Sequence, residues 1–544
     1  MDPSTLTWGG WTRILAWIDS GARYASEQAT EAARSIMQKA IEEAPPRETL
    51  RYAHVLSNLL AAEGETTDEA LAQALAQGNF RGAMLLATAR NTLPLPRAQW
   101  FDADPAAART WFTSAARLVE SGAGLKASTH ARLVEHFELE HAQLQTDEAA
   151  TYYAAGLLGP GSGRTYKSQI NAWVQGATAS VAVTSRPKRA PKPLVGVVTG
   201  AWRPGNVVAR NYRAYLQALQ PDYHIQLVHL GQGPAFQDLF DSVKTISGPE
   251  EALRGLSRNS YTALLFLDIG TTVESLILAN RRWCPLQMSF LGAQSTWNAV
   301  LNYQVTGDDV EAGDGQQLYS EKLLRIPGAG VIFERPPGAR PEPSPFTPVP
   351  LIVNCPWHPQ KMSPALVRVM SRIRDHVPDV VFRLFPAGGL LRGGAQAAFL
   401  RELCDEIGAC FFVEDPLPPE AYLRELAKGA ITLDSFPYGG CNVVVDSLYA
   451  GVPVLALEGA SWPGRVGAWA VRKAGLSSWV ASTPTAYADL AVQKLTNLDV
   501  LHGTREHLRG SDLLDLFDQS PADGFRRAFD RLTSVTSTGT SPKR

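Results

Sequence analysis

Two proline-rich stretches cut this chain into three blocks, and the second and third blocks repeat one pattern of short apolar run, turn and helical stretch. The breaks are Ser185-Arg-Pro-Lys-Arg-Ala-Pro-Lys-Pro193 and residues 335–350, which hold seven prolines. Proline fixes φ and has no N–H, so such stretches continue neither a helix nor a central strand and read as extended linkers. The apolar runs fall at 194–199, 224–230, 262–268, 285–291 and 301–305 in the second block. In the third they fall at 351–354, 380–385, 409–413, 430–433 and 452–457. Most are continuous Val, Ile, Leu and Phe, the mark of parallel strands covered on both faces. Each block therefore predicts a doubly wound βα domain, whose ligands bind beyond the carboxyl ends of the strands. Two such domains joined by a linker place a cleft between them.

The first block, to residue 184, is rich in Ala, Leu, Glu, Gln and Arg, with apolar residues at helical spacing, as in Ala53-His-Val-Leu-Ser-Asn-Leu-Leu-Ala61. It predicts an all-α domain, like a degenerate helical-repeat array without a regular repeat signature. The expected organisation is an all-α domain over 1–184, a first sheet domain over 194–334 and a second over 351–535. A chain of 544 residues with 45% hydrophobic and 19% charged residues suits several packed cores and excludes a disordered protein. A net charge of -2 gives no general attraction to nucleic acid or to an anionic membrane. No apolar run is long enough for a membrane span, and the N-terminus lacks a basic segment followed by an apolar one, so a cytoplasmic location is expected. The 5 cysteines include no C-x2-C pair, which argues against a disulfide scaffold and a structural zinc site.

The segment richest in chemistry is Leu433-Asp-Ser-Phe-Pro-Tyr-Gly-Gly-Cys-Asn-Val-Val-Val-Asp446. A strand ends near Asp434, Gly439 and Gly440 permit a close backbone approach, and a helix starts near Asn442. Free N–H groups and the positive dipole end at that start suit a diphosphate, and Asp446, one turn on, can reach a ribose diol. The competing reading is an ordinary strand–turn–helix connection with Asn442 as its cap.

This string resembles the nucleotide-sugar site of glycosyltransferase family 41, which has the GT-B fold of two Rossmann-like domains. Phe436-Pro-Tyr-Gly-Gly-Cys-Asn442 through Asp446 is more similar to the bacterial adhesin N-glucosyltransferases than to the O-GlcNAc transferases. Arg282-Trp-Cys-Pro-Leu-Gln-Met-Ser-Phe-Leu-Gly292, Tyr303-Gln-Val-Thr-Gly-Asp308 and Glu321-Lys-Leu-Leu-Arg-Ile-Pro327 extend the resemblance over both sheet blocks. An all-α N-terminal domain is similar in both subfamilies. The resemblance implies a donor site made of Tyr438, Gly440, Cys441, Asn442 and Asp446. It implies that Lys361, in Trp357-His-Pro-Gln-Lys-Met-Ser-Pro364, contacts the diphosphate and takes the place of a metal ion. Main chain near Leu417, in Asp415-Pro-Leu-Pro-Pro-Glu-Ala-Tyr422, would hold the uracil. Arg210, in Gly200-Ala-Trp-Arg-Pro-Gly-Asn-Val-Val-Ala-Arg210, has a counterpart in the adhesin-modifying enzymes. The chain departs from them at Asn206 and Ala293, where they have histidines, and neither residue can act as a base near neutral pH. Asp268, at a strand end, is the substitute base, although a strand-end Asp also serves as a helix cap.

The resemblance thus implies an inverting, metal-independent protein glycosyltransferase. No cofactor is expected. A hexose would pass from a UDP-sugar, UDP-glucose in the bacterial subfamily, to an Asn of an acceptor protein such as an adhesin or flagellin. The alternatives are O-linked transfer to Ser or Thr, and a catalytically weakened GT-B adaptor.

Overall fold

The computed structural model describes residues 119, 122, 125–138, 149–180, 192–231, 233–256, 261–290, 294–336, 340–341, 349–385 and 394–537. Most of the expected all-α domain, most of the first linker, and Ala293 lie outside the described residues.

The first sheet holds seven parallel strands: β1 (Leu194–Thr199), β2 (His224–Leu230), β3 (Ser242–Ile246), β4 (Ala263–Phe266), β5 (Leu286–Ser289), β6 (Tyr303–Gly307) and β7 (Lys322–Ile326). Their spatial order is β3-β2-β1-β4-β5-β6-β7. The second holds β8 (Leu351–Cys355), β9 (Val380–Leu384), β10 (Phe411–Val413), β11 (Ile431–Leu433), β12 (Val454–Leu457) and β13 (Val480–Ala481), in the order β10-β9-β8-β11-β12-β13. The strand order reverses between β1 and β4 in one sheet and between β8 and β11 in the other. These are the switch points where doubly wound sheets open a crevice. The loops after β4, β8 and β11 carry Asp268, Lys361 and the Asp434–Cys441 turn, and the helix after β1, Val207–Leu219, carries Arg210.

The ten apolar runs became the inner strands and the edge strand β10, with ends shifted by at most two residues. Three strands escaped the sequence reading, and all are edges. β3 (Ser-Val-Lys-Thr-Ile) and β7 (Lys-Leu-Leu-Arg-Ile) are mostly part-exposed and carry charge, as unpaired edges do. β13 is only two residues long.

The described N-terminal helices, Ala127–Phe137, Ala149–Ala154 and Arg164–Thr178, sit on the outer face of the first sheet. Leu133, Phe137, Tyr166 and Ile170 share a core with Val198, Phe266, Leu276 and Trp283. Polar bonds fix their orientation. Asn171 donates to the carbonyls of Thr296 and Trp297 at 2.6 and 2.8 Å, and Tyr152 donates to Thr296 at 2.6 Å.

Two features tie the sheets together. The final helix, Pro521–Ser537, returns to the first sheet, where Phe525 meets Tyr215 and Phe290 edge-on and Tyr223 donates to Asp530 at 2.8 Å. The Trp462 indole, on the second domain, donates to Ala329 of the first at 2.6 Å. Phe525 and Phe529 are fully buried, worth roughly 1.5–3 kcal/mol each by area removed from water. No described helix is long and apolar enough to cross a membrane.

Candidate active site

The turn after β11 is organised by Asp434. Its carboxylate, buried at the strand end, accepts the Gly440 N–H at 2.6 Å. A Cβ on Gly467 would come 2.1 Å from Asp434 Oδ2, so only glycine lets the helix Trp462–Lys473 pass this close. Burial pushes the Asp434 carboxyl up to about 7, against the pull of Gly440 N–H and Lys361. The helix Asn442–Tyr449 then begins. Its cap is Cys441, which makes no side-chain capping bond, so Asn442 is the first helical residue and not the cap. Val444 N–H turns back to the Cys441 carbonyl at 3.2 Å, so the Asn442 and Val443 N–H groups form the open end of that first turn. The buried Asn442 amide has both polar atoms without a partner.

Lys361 arrives from the other side of the switch point, on the short turn Pro359–Lys361 after β8. Its Nζ donates to the Gly439 carbonyl at 2.9 Å and stands 5.1 Å from the centre of the Tyr438 ring. Burial lowers its pKa, while Asp434 and Cys441 act the other way. The same burial, together with the Lys361 charge, drops His358 to about 4, so that imidazole is neutral. Its Nδ1 accepts the Gln360 N–H at 3.4 Å. Burial raises the Cys441 thiol to about 12, leaving it unreactive as a nucleophile.

Asp446 lies one turn into the helix and is paired across the two domains. Arg210, on the helix Val207–Leu219, donates to its two oxygens at 2.7 and 3.4 Å. Burial opposes the Arg210 cation, and Asp446 more than offsets it, so its pKa is raised. Burial also raises Asp446, with Arg210 holding it down in part. The buried Tyr422 hydroxyl, without a partner, feels both charges, and Leu417 packs in the same small apolar cluster as Tyr422.

Between the two domains lies a cavity of about 220 Å³. Lys361, Tyr438, Gly439 and Cys441 line one wall, with Val207, Asn211 and Tyr212 facing them. Tyr153, Trp462 and Pro463 also line it. Sequence reasoning missed Asn211, Tyr153 and Trp462. Asn211 directly follows Arg210 on one helix, which was the available clue. Asp268 is not among the lining residues. It is buried, accepts the Gly200 N–H at 3.0 Å, and is pushed up to about 7 by burial. Asn206 caps the helix Val207–Leu219, its side chain accepting the Val208 N–H at 2.9 Å.

Two parallel doubly wound domains, facing each other across a cleft built from their switch points, define a GT-B fold. No family model matches the chain. Over 241 residues it is 27% identical to the Hordeum vulgare protein named UDP-N-acetylglucosamine–peptide N-acetylglucosaminyltransferase SPINDLY, covering 42% of this chain and 25% of that one. Over 333 residues it is 23% identical to the UDP-glucose:protein N-beta-glucosyltransferase of Actinobacillus pleuropneumoniae serotype 5b, covering 58% and 52%. The chain thus spans a quarter of the plant relative and about half of the bacterial one. Among solved structures, a mutant O-GlcNAc transferase of Thermobaculum terrenum matches with a TM-score of 0.66 at 20% identity, over 98% of this chain and 100% of that one. That likeness establishes the fold. The resemblance to family 41 therefore stands, with relatives on both its branches.

Proposed function

We propose that the chain is an inverting, metal-independent protein glycosyltransferase that moves a hexose from UDP-glucose to an Asn side chain. The observation that carries the reading is Lys361, whose ammonium is fixed between Gly439 and Tyr438 beside an unblocked helix start. In this reading main chain near Leu417 holds the uracil, Asp446 the ribose, Cys441 and Lys361 the diphosphate, and Tyr438 faces the sugar. The acceptor nitrogen attacks the sugar C1 from the face opposite UDP, the C1–O bond breaks, and its electrons pass to the β-phosphate. Lys361 and the first-turn N–H groups stabilise that growing charge, which gives rate and not merely affinity. The acceptor must also lose a proton. Asp268 titrates near pH 7 and has the chemistry for this, but it reaches substrate only if binding reshapes the Gly200–Asn206 loop.

The test is intact mass of adhesin and flagellin polypeptides incubated with the chain, UDP-glucose and excess EDTA. The expected product gains one hexose, mapped to Asn. Activity lost with EDTA and restored by magnesium or manganese contradicts the metal-free mechanism. A second reading is O-linked transfer, favoured by the 27% identity to the peptide N-acetylglucosaminyltransferase; a sugar mapped to Ser or Thr supports it. Turnover of no donor, with acceptor binding retained, supports the weakened adaptor instead, a reading favoured by Asn206 being committed to a helix cap.

A further inference from the structure

Arg383, on β9 of the second sheet, is among the largest fully buried side chains of the molecule. Its Nε and Nη2 donate to Asn354 Oδ1 at 3.1 and 2.8 Å, and Nη2 also donates to the Glu425 carbonyl. Its Nη1 lies 3.3 Å from the Glu425 carboxylate and 3.7 Å from that of Glu414. Glu414 directly follows β10, and Glu425 stands at the end of the helix Pro419–Leu426. Residues 415–418, the loop assigned to the uracil, are therefore stapled on both sides to one cation. Among the described residues, the other hydrogen bonds on this loop also sit at its ends: Glu414 N–H donates to Leu384 and Tyr422 N–H to Pro418, each at 2.9 Å. The guanidinium lies 5.1 Å from the centre of the Phe385 ring, which meets Tyr422 edge-on in the apolar cluster that holds Leu417. Asn354, the remaining partner, is on β8, the strand that leads to Lys361, and it donates to the Leu426 carbonyl at 2.9 Å.

We propose that Arg383 is a positioning residue for base recognition, fixing the loop 415–418 against the strand that leads to Lys361 and so setting the preference for uracil over cytosine. The inference rests on the donor-site reading above. Uracil offers an N–H where cytosine has a bare ring nitrogen, and a carbonyl where cytosine has an amino group. Main-chain groups that match one base meet the other with donor against donor and acceptor against acceptor. That mismatch discriminates only where the loop cannot shift to relieve it. Burial opposes the Arg383 cation, and Glu414 and Glu425 act the other way. An arginine suits this place because its planar fork fixes direction as well as charge, which a lysine does not. Arg505 gives the contrast at the same helix end. It donates to the carbonyls of Ala427 and Gly429, at 2.7 and 2.5 Å, which follow the helix in the chain.

The experiment measures binding of UDP and CDP by calorimetry to the full chain and to its variants Arg383→Met, Arg383→Lys, Glu414→Gln and Arg505→Met. The wild type is expected to favour UDP by at least about tenfold. Arg383→Met should bring that ratio to near unity, chiefly by weakening UDP, with Arg383→Lys between the two. Glu414→Gln, a change at a part-exposed side chain, should lower the ratio by roughly two- to fivefold. Arg505→Met should lower the melting temperature and keep the ratio. An unchanged ratio in Arg383→Met overturns the proposal; where that variant does not fold, an unchanged ratio in Glu414→Gln overturns it. An equal fall in Arg505→Met overturns it too, because Arg383 would then act only through the stability of the helix. A wild type that binds UDP and CDP alike overturns the proposal and leaves the donor site standing, whereas one that binds neither sinks the functional reading first.

Discussion

At the scale of single residues, the site works by placing charges where water is scarce. Burial weakens the Lys361 ammonium, the nearby Asp434 carboxyl offsets this in part, and Asp434 in turn holds the Gly440 N–H. Asp268 and Asp434 share a titration signature: burial raises both from 3.8 to about 7. The folded chain therefore keeps protons on these groups between pH about 4 and about 7 that the unfolded chain has released. Their contribution is a stability that falls as pH rises through that window. Asp268→Asn keeps an oxygen for the Gly200 N–H and removes the titration. Its melting temperature should fall less than that of the wild type between pH 4.5 and 7.5. Parallel pH curves for the two proteins would count against the raised carboxyl.

At the scale of elements, the strand–turn–helix from β11 to Tyr449 was legible because its chemistry is local: two glycines, a helix start and a carboxylate one turn on. Lys361 was singled out by the family resemblance, since a lone lysine after a strand carries no chemistry of its own. What could not be read was the pairing across domains. Arg210 and Asp446 are 236 positions apart, and no periodicity relates them. The edge strands β3 and β7 were hidden because half-exposed edges carry Lys, Arg and Ser in place of a continuous apolar run. Asn211 and Trp462 enter the cavity wall only once the sheets face each other. The cross-domain pair changes what a substitution at Asp446 means. Asp446→Ala leaves Arg210 buried and unpaired, so Asp446→Asn is the cleaner variant. It should weaken UDP binding by about 1–3 kcal/mol, the cost of losing a charged hydrogen bond. Unchanged affinity by calorimetry would remove Asp446 from the ribose site.

At the scale of the whole molecule, the described helices are not an appended module. Asn171 reaches from the helix Arg164–Thr178 to the carbonyls of Thr296 and Trp297, and it accepts from Asn280 at 2.8 Å. This clamp fixes the residues around Gln294 and brings Tyr153 to the donor cavity. Asn171→Ala strips the Trp297 carbonyl of this donor and leaves Thr296 with Tyr152 alone, and stability should fall by about 1–3 kcal/mol in urea titrations. A loss below about 0.5 kcal/mol, the range of an ordinary surface change, would mean that the helices rest on the sheet by apolar contact alone. The last described helix, Pro521–Ser537, leaves the second domain's sequence block and lies on the first sheet.

The central claim is that Lys361 stabilises UDP as it leaves. Turnover of UDP-glucose, followed by UDP release with a competent acceptor and excess EDTA, tests it in Lys361→Ala against Lys322→Ala. Lys322 lies on the edge strand β7, exposed and remote from the donor residues. The account expects Lys361→Ala to lose at least about 10²-fold in turnover, with a milder loss of UDP affinity and a wild-type melting curve, and Lys322→Ala to match the wild type. Near-normal turnover in both variants would contradict it, and Lys361 would be no more than a lysine packed on a tyrosine.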